Sequence, residues 1–283
     1  MEIQSLSVVV PAGCPNSCPF CVSRMNETNK LFKNKSHEKS FWKNYQRRMS
    51  FARDNGCNTM VITSTGEATQ NPEFVKNVLK INSKLDKPFR WIELQTSGIG
   101  LEKMFEKYPE IAAEISTVSL SIVDFNTLSN TEIMRMPEYL DTISLIAYLK
   151  ENNFNVRISL NMTKVMEGHS PRNIFNKLRG MDVDQITFRI LYKTSYKSEQ
   201  NDWIDVNKVS DNFVKELSDF IKLNGRKLER LPFGAVKYSL MGISTVLDDD
   251  CMATEDKEAI RYLILRSNGK LYSKWDDKGS LIF

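Results

Sequence analysis

The sequence predicts an α/β fold, a partial parallel (β/α)6 barrel followed by a C-terminal α+β extension. Three observations predict it. Short β-type runs alternate with helical patterns from the N-terminus to about residue 225, the pattern of parallel strands joined by crossover helices. Beyond that point β-type runs take over. The segments richest in chemistry, CPNSCPFC, STGEAT, QTSG, IVDFN, NMTK and LYKTS, each stand at the C-terminal end of a β-type run.

Taken in order, Ile3 to Val10 reads as the first strand, with the cysteine loop directly after it. A helix is expected from about His37 to Asn55, carrying Phe41, Tyr45, Met49 and Ala52 on one face and ended by Gly56. NTMVITST is the second strand. In NPEFVKNVLKINSKL the start signals are stacked, with Asn71 as N-cap, Pro72 in the first turn and Glu73 at the positive end of the dipole. RWIELQTSG is the third strand and its turn, LEKMFEKYPEIAAEI a helical segment, TVSLSIV the fourth strand and MPEYLDTISLIAYLKENN a further helix. FNVRISLNM is the fifth strand, SPRNIFNKLRG a helix opened by Ser and Pro, and QITFRILY the sixth strand. DVNKVSDNFVKELSDFIKLNG closes the alternation with a helix ending at Gly225. Right-handed crossovers would curve these units into a TIM-type partial barrel whose working face lies at the C-terminal ends of the strands. Residues 1–225 are therefore expected as the barrel core. Residues 226–283 are expected as an extension packed on it and over its mouth, with ISTVL and YLILRSNGKLYSKW as its β-type runs and Asn268-Gly269 as a hairpin turn.

At 283 residues the chain can bury a large core, and no apolar run is long enough to cross a bilayer. The first residues lack a basic segment and include Glu2, so no secretory signal is read and a cytoplasmic location is expected. The net charge of +4 is spread along the chain. Its densest basic stretch, Arg24 to Arg48, reads as a solvated helix face, so nucleic acid is permitted by the charge without being argued for. Five cysteines is an odd number. In a reducing compartment the clustered trio suits metal or redox chemistry better than a structural bridge. Cys57 and Cys251 stand alone and read as small buried hydrophobes.

Cys14, Cys18 and Cys21 can be weighed by what each use requires. A closed zinc site needs a fourth ligand, and His37, His169, Cys57 and Cys251 are all distant in sequence. A Cys-X-X-Cys disulfide centre would use Cys18 and Cys21 and leave Cys14 without a task. An iron-sulfur cube takes all three and keeps one iron open.

Cys14, Cys18, Phe20 and Cys21 also match CX3CXΦC, with Φ aromatic. By this motif the chain resembles the radical S-adenosylmethionine (SAM) superfamily. The resemblance implies a 4Fe-4S cluster on Cys14, Cys18 and Cys21 and chelation of its open iron by the amino and carboxylate groups of SAM. It also implies reductive cleavage of SAM to a 5'-deoxyadenosyl radical that abstracts hydrogen from a substrate. An electron donor such as a flavodoxin or ferredoxin is implied with it.

Further positions extend the resemblance. Ser64-Thr65-Gly66-Glu67 resembles the family's GGE motif with Thr65 in place of the first glycine, where Gly66 permits close backbone approach and Glu67 accepts from the SAM ammonium. Thr96-Ser97-Gly98 resembles the TNG turn, which implies that Thr96 meets the methionine end of SAM. Ser119 falls where related enzymes place a serine against the ribose. Asn161 matches a strand-five asparagine of the molybdenum-cofactor cyclase and viperin branches, and Arg189 is similar to a basic residue on their sixth strand. A strand-end Asn also caps turns, and Arg189 also suits a structural ion pair. Ser121 departs from the VSLD pattern, and the C-terminal part has no second cysteine set, which speaks against the molybdenum-cofactor cyclase itself and against the peptide-modifying branch with cysteine-rich extensions.

The resulting expectation is a radical SAM enzyme acting on a small molecule, nucleoside-like or phosphorylated. An RNA-modifying enzyme or glycyl-radical activase is the runner-up. The reading from another class is a non-catalytic zinc or iron-sulfur module. No residue is assigned to substrate chemistry. Asp248, Asp249 and Asp250 read as a solvated acidic loop in preference to a cation-binding one, and LPFGAVKYSLMG, DDDC and LYSKWDDKGSLIF read as a lid over the site.

Overall fold

A computed structural model describes residues 2–26, 32–231, 234–248 and 259–283. In chain order its elements begin with β1 (Glu2–Val10), α1 (Val22–Met25), α2 (Phe41–Asp54), β2 (Thr59–Ser64), α3 (Pro72–Asn82) and β3 (Trp91–Thr96). Then come α4 (Leu101–Lys107), α5 (Pro109–Glu114), β4 (Thr117–Ile122), α6 (Thr127–Ile133), α7 (Thr142–Glu151), β5 (Asn155–Asn161), α8 (Pro171–Gly180) and β6 (Gln185–Arg189). The last are α9 (Glu199–Asn207), α10 (Asp211–Asn224), β7 (Arg226–Arg230), β8 (Val236–Leu240), β9 (Ile243–Asp248), β10 (Ala259–Leu265) and β11 (Leu271–Tyr272). The chain divides into two compact units, Met1–Cys14 with Asn26–Val118 and Ala253–Phe283, and Pro15–Met25 with Ser119–Met252.

In the first unit the strand order is β11-β10-β1-β2-β3. β10, β1, β2 and β3 run parallel and β11 is antiparallel on β10. Strand alternation separates the faces. Leu6, Val8, Val10, Met60, Ile62, Ile92, Leu94, Leu263 and Leu265 form a buried apolar face, and α2 packs against β1 and β10. The alternate positions carry Ser5, Ser7, Thr59, Thr63, Glu93 and Gln95. Register places Ser5 beside Thr59, and sets Ser7 and Glu93 on either side of Val61, so these alternate positions line up across strands. The buried Arg266 lies 4.1 Å from the centre of the Phe32 ring and 5.5 Å from that of Trp275, where ring faces offset part of the cost of burying its charge.

In the second unit the order is β4-β5-β6-β9-β8-β7. β5, β6 and β9 are parallel, and β8 and β7 continue antiparallel. Val156, Ile158, Leu160, Ile186 and Phe188 form the buried apolar face. The opposite face carries Arg157, Ser159, Asn161, Gln185, Thr187 and Arg189. At its C-terminal edge Asn161 pairs with Arg189 and Arg189 with Asp248, a polar row across three strands.

Capping follows the sequence at several helices. The Asn71 side chain accepts from Phe74 N, Ser170 caps α8, and Gly225 ends α10. The helix expected from His37 starts at Phe41. The segment 101–115 breaks at Tyr108, whose φ of −131° and ψ of 67° precede Pro109, because proline disfavours a helical residue before it. The expected last helix is two, since Ser210 leaves helical geometry to cap α10 through Phe213 N. The helix expected over 136–153 begins only at Thr142, behind the Asp141 cap, and α6 is an addition.

Residues after Gly225, expected to pack on the barrel, supply strands to the sheet itself. β9 lies beside β6, and β10 lies beside β1. The Asn268-Gly269 turn joins β10 to β11 as read from the sequence, with Gly269 at φ 76°. β7 and β8 escaped the sequence reading because RKLER is exposed at every position and shows no apolar alternation. Asp249, Asp250, Cys251 and part of LPFGAVKYSLMG lie outside the described residues.

Candidate functional site

In the first unit the turn after β2 is laced onto the segment that leads into Cys14. Ser64 Oγ donates to Val10 O at 3.0 Å, Thr65 Oγ1 to Ala12 O at 3.2 Å and Glu67 N to Gly13 O at 2.9 Å. Asn71 Nδ2 donates to Pro11 O at 2.8 Å. The carbonyls from Val10 to Gly13 are thus each held by this turn or by the cap that follows it. Gly66 sits where the two backbones cross. A Cβ there would stand 2.4 Å from Gly13 C and O and 2.6 Å from Ala12 O, so no larger residue fits without moving backbone.

Glu67 faces the next turn. It is 3% exposed. Its Oε1 accepts from Thr96 Oγ1 at 2.7 Å and Thr69 N at 3.4 Å, and its Oε2 from Ser97 N at 2.8 Å and Ser97 Oγ at 2.7 Å. A carboxylate offers about four acceptor sites. The chain itself supplies four donors, so Glu67 ties the STGE turn to the TSG turn. Thr96 Oγ1 in turn accepts from Gly98 N at 2.9 Å. Ser97, given no task by the sequence reading, supplies two of Glu67's four donors. Its signal was its place between Thr96 and Gly98.

In the second unit Cys18 and Cys21 are half-buried, and Cys21 N donates to Cys18 O at 3.3 Å. Cys18 Sγ donates to Met134 O at 3.3 Å. Phe20 is 7% exposed and packs with Met25, Val123, Met134, Leu191 and Ile204, its ring 5.6 Å from that of Trp203. The aromatic of the motif therefore roots the cysteine turn in apolar core. Cys14, at the end of the first unit, is exposed.

The remaining candidates stand on the polar positions of the second unit's strands. Ser119 is 1% exposed and its Oγ has no hydrogen-bond partner among the described residues. Asn161 Nδ2 donates to Ile122 O at 3.3 Å. Arg189 Nε donates to Ser159 Oγ at 2.6 Å and Nη1 to Asp248 Oδ2 at 3.3 Å. Asp248 is 2% exposed, which corrects the expected solvated acidic loop at this residue. Parallel pairing of β9 with β6 sets it beside Arg189, and the guanidinium offsets the burial of its charge. Ser159 and Asp248 are the partners that sequence reasoning missed. Cys57 is buried as expected, and burial pushes its thiol up to about 12.

Among the described residues, no three His, Cys, Asp or Glu side chains gather closely enough to share one metal ion. A cubane does not require that, because its thiolates ligate different irons. Three thiols on one short loop, rooted by Phe20, suit a cluster with one iron open, and the buried unpartnered Ser119 Oγ suits a polar ligand group.

The sequence matches the family model of the radical SAM superfamily over residues 8–175. A search of curated proteins found no significant match. Among solved structures, Streptococcus suis SuiB bound to S-adenosylmethionine is similar at TM-score 0.59 and 16% identity, over 96% of this chain and 60% of that one. Native anSMEcpe with bound AdoMet and Cp18Cys peptide is similar at TM-score 0.60 and 14% identity, over 98% of this chain and 75% of that one. Coproporphyrinogen III oxidase (HemN) from Escherichia coli, a radical SAM enzyme, is similar at TM-score 0.52 and 13% identity, over 80% and 54%. The chain thus spans 60% of the length of SuiB, and likeness at these identities shows a shared α/β fold.

Proposed function

The chain belongs to the radical SAM superfamily, and from that membership we propose an enzyme that removes a hydrogen atom from a small-molecule substrate using a 4Fe-4S cluster and SAM. The observation that carries the reading is the build of the cysteine loop, with its entrance laced to the STGE turn and its aromatic rooted in core. When bound to Cys14, Cys18 and Cys21, a 4Fe-4S cluster would supply the one-electron reduction of SAM from which this family's hydrogen-abstraction chemistry comes.

The chain's own residues hold and orient. Cys14, Cys18 and Cys21 would hold the cluster, and Phe20 fixes the turn between the last two against apolar core. Thr65 and Gly66 bring the second turn onto the backbone before Cys14, which pre-organises that cysteine. Glu67 holds Thr96 and Ser97 in place, and with its acceptor sites taken by the chain it would draw the SAM ammonium by its fixed negative charge. Ser119 Oγ is available to a ribose hydroxyl. Asn161 and Arg189, on one polar row with Asp248, suit a nucleoside-like or phosphorylated substrate.

The reaction consumes an electron, so its partner is a low-potential donor such as a flavodoxin or ferredoxin. Thiols kept reduced for a cluster point to the cytoplasm. No helix among the described residues is long and apolar enough to cross a membrane.

Anaerobically purified protein is expected to be brown, to carry about four irons per chain, and to release 5'-deoxyadenosine from SAM on reduction. Colourless protein with stoichiometric zinc that survives Cys18→Ala would overturn the proposal. Deuterium carried from a labelled candidate into 5'-deoxyadenosine would identify the substrate.

A further inference from the structure

We propose that Arg24 is a positioning residue of the cysteine loop and that its guanidinium raises the reduction potential of the cluster. The proposal rests on the cluster assignment above. From Pro11 to Asn26 the sequence holds no Asp, Glu, Lys or His, and Arg24 is the one charged side chain in that stretch.

The backbone after Cys21 turns the arginine back onto the loop. Cys21 O accepts from Arg24 N at 3.1 Å and from Met25 N at 3.2 Å, starting α1 at once. Arg24 Nη2 then donates to Asn16 O at 3.0 Å and to Ser17 Oγ at 3.1 Å. Asn16 and Ser17 lie between Cys14 and Cys18, so one guanidinium closes a ring of chain that contains Cys18 and Cys21. The acceptor end of that ring is itself fixed. Asn16 is 2% exposed, and Ser17 N donates to Arg135 O at 3.2 Å.

The electrostatic consequence has a definite sign. Reduction adds negative charge to a loop already carrying three thiolates, and a fixed cation on that loop favours the reduced form. A purely structural tie would hold the loop and leave the potential unchanged. Lysine would keep the charge but replace the planar donor fork with a single rotating ammonium.

The test compares Arg24→Gln and Arg24→Lys with wild type, using anaerobic protein and three readouts: thermal unfolding of metal-free protein, iron and sulfide content, and a redox titration followed by electron paramagnetic resonance. The Gln variant is expected to unfold like wild type. Arg24 is exposed, so solvent screens its charge, and the variant's ratio of reduced to oxidised cluster at a fixed poise should fall about threefold, which is about 28 mV for a one-electron couple. The Lys variant should recover more than half of that shift. A loaded Gln variant with the wild-type potential, or a Lys variant as low as the Gln variant, overturns the electrostatic claim. Cluster loss in the Gln variant alone, with unchanged unfolding, supports positioning by the charge. Cluster loss in both overturns the claim that charge is what matters. Wild-type protein without a cluster would overturn the assignment on which the proposal rests, whereas a loaded wild type with an unshifted Gln variant overturns this proposal alone.

Discussion

Gly66→Ala should disable the cysteine loop from a distance. The new Cβ would stand 2.4 Å from Gly13 C and O, and ordinary contact begins at 3.4 Å, so the two backbones must part by about 1 Å. That displacement stretches Glu67 N to Gly13 O from 2.9 Å and Thr65 Oγ1 to Ala12 O from 3.2 Å, beyond hydrogen-bonding range. Two lost hydrogen bonds at about 1 kcal/mol each, plus strain of about 1 kcal/mol, predict a loss of about 2–4 kcal/mol. Gly13→Ala is the internal control. A Cβ at Gly13 meets nothing within 4 Å, and its backbone is not in the left-handed region. Its expected effect runs from neutral to a gain of about 0.4–1 kcal/mol through the unfolded chain. Urea unfolding of both metal-free variants measures the difference, and iron content after anaerobic reconstitution reports the loop. If Gly66→Ala unfolds within about 0.5 kcal/mol of Gly13→Ala and binds wild-type iron, the close crossing of backbones is not what the glycine provides.

Glu67→Ala removes an acceptor from four donors, two of them buried and two partly buried, and a loss of about 2–4 kcal/mol is expected by urea unfolding; a loss below about 1 kcal/mol would show that the two turns are held by other means. In protein that still folds, the same substitution should weaken SAM binding by calorimetry while iron content is kept. Asp248→Asn should cost about 2–3 kcal/mol, less than a fully buried pair because Arg189 is partly exposed, and a double-mutant cycle with Arg189→Met should show coupling of at least about 0.5 kcal/mol. Cys57 should resist alkylation at pH 8 in folded, metal-free protein while Cys14 reacts, read by mass spectrometry of peptides. The folded Cys57 thiol keeps its proton above its ordinary value of 9.0 while the unfolded one releases it, so this group's stability contribution is whole below pH 9 and falls as pH rises toward 12.

Much of the fold was legible because its signals are local. Alternation of strand and helix, Asn71 and Ser170 as caps and Gly225 as a stop are all decided within a few residues. The breaks at Tyr108 and Lys208–Ser210 were legible too, in Pro109 and Ser210, but were outweighed by the apolar periodicity running through them. The exposed β7 was not legible, because pairing to β8 makes it a strand and its own side chains bury nothing.

The candidate site divides in the same way. Cysteine spacing, Phe20 and the succession of turns after β1, β2 and β3 belong to the sequence by itself, since each is a pattern along the chain. Only the tertiary structure brought Glu67 onto Thr96 and Ser97, crossed Gly66 over Gly13, and seated Asp248 beside Arg189 across a gap of 59 residues. Those contacts depend on strand register and on which strands become neighbours, and the packing within each unit decides both.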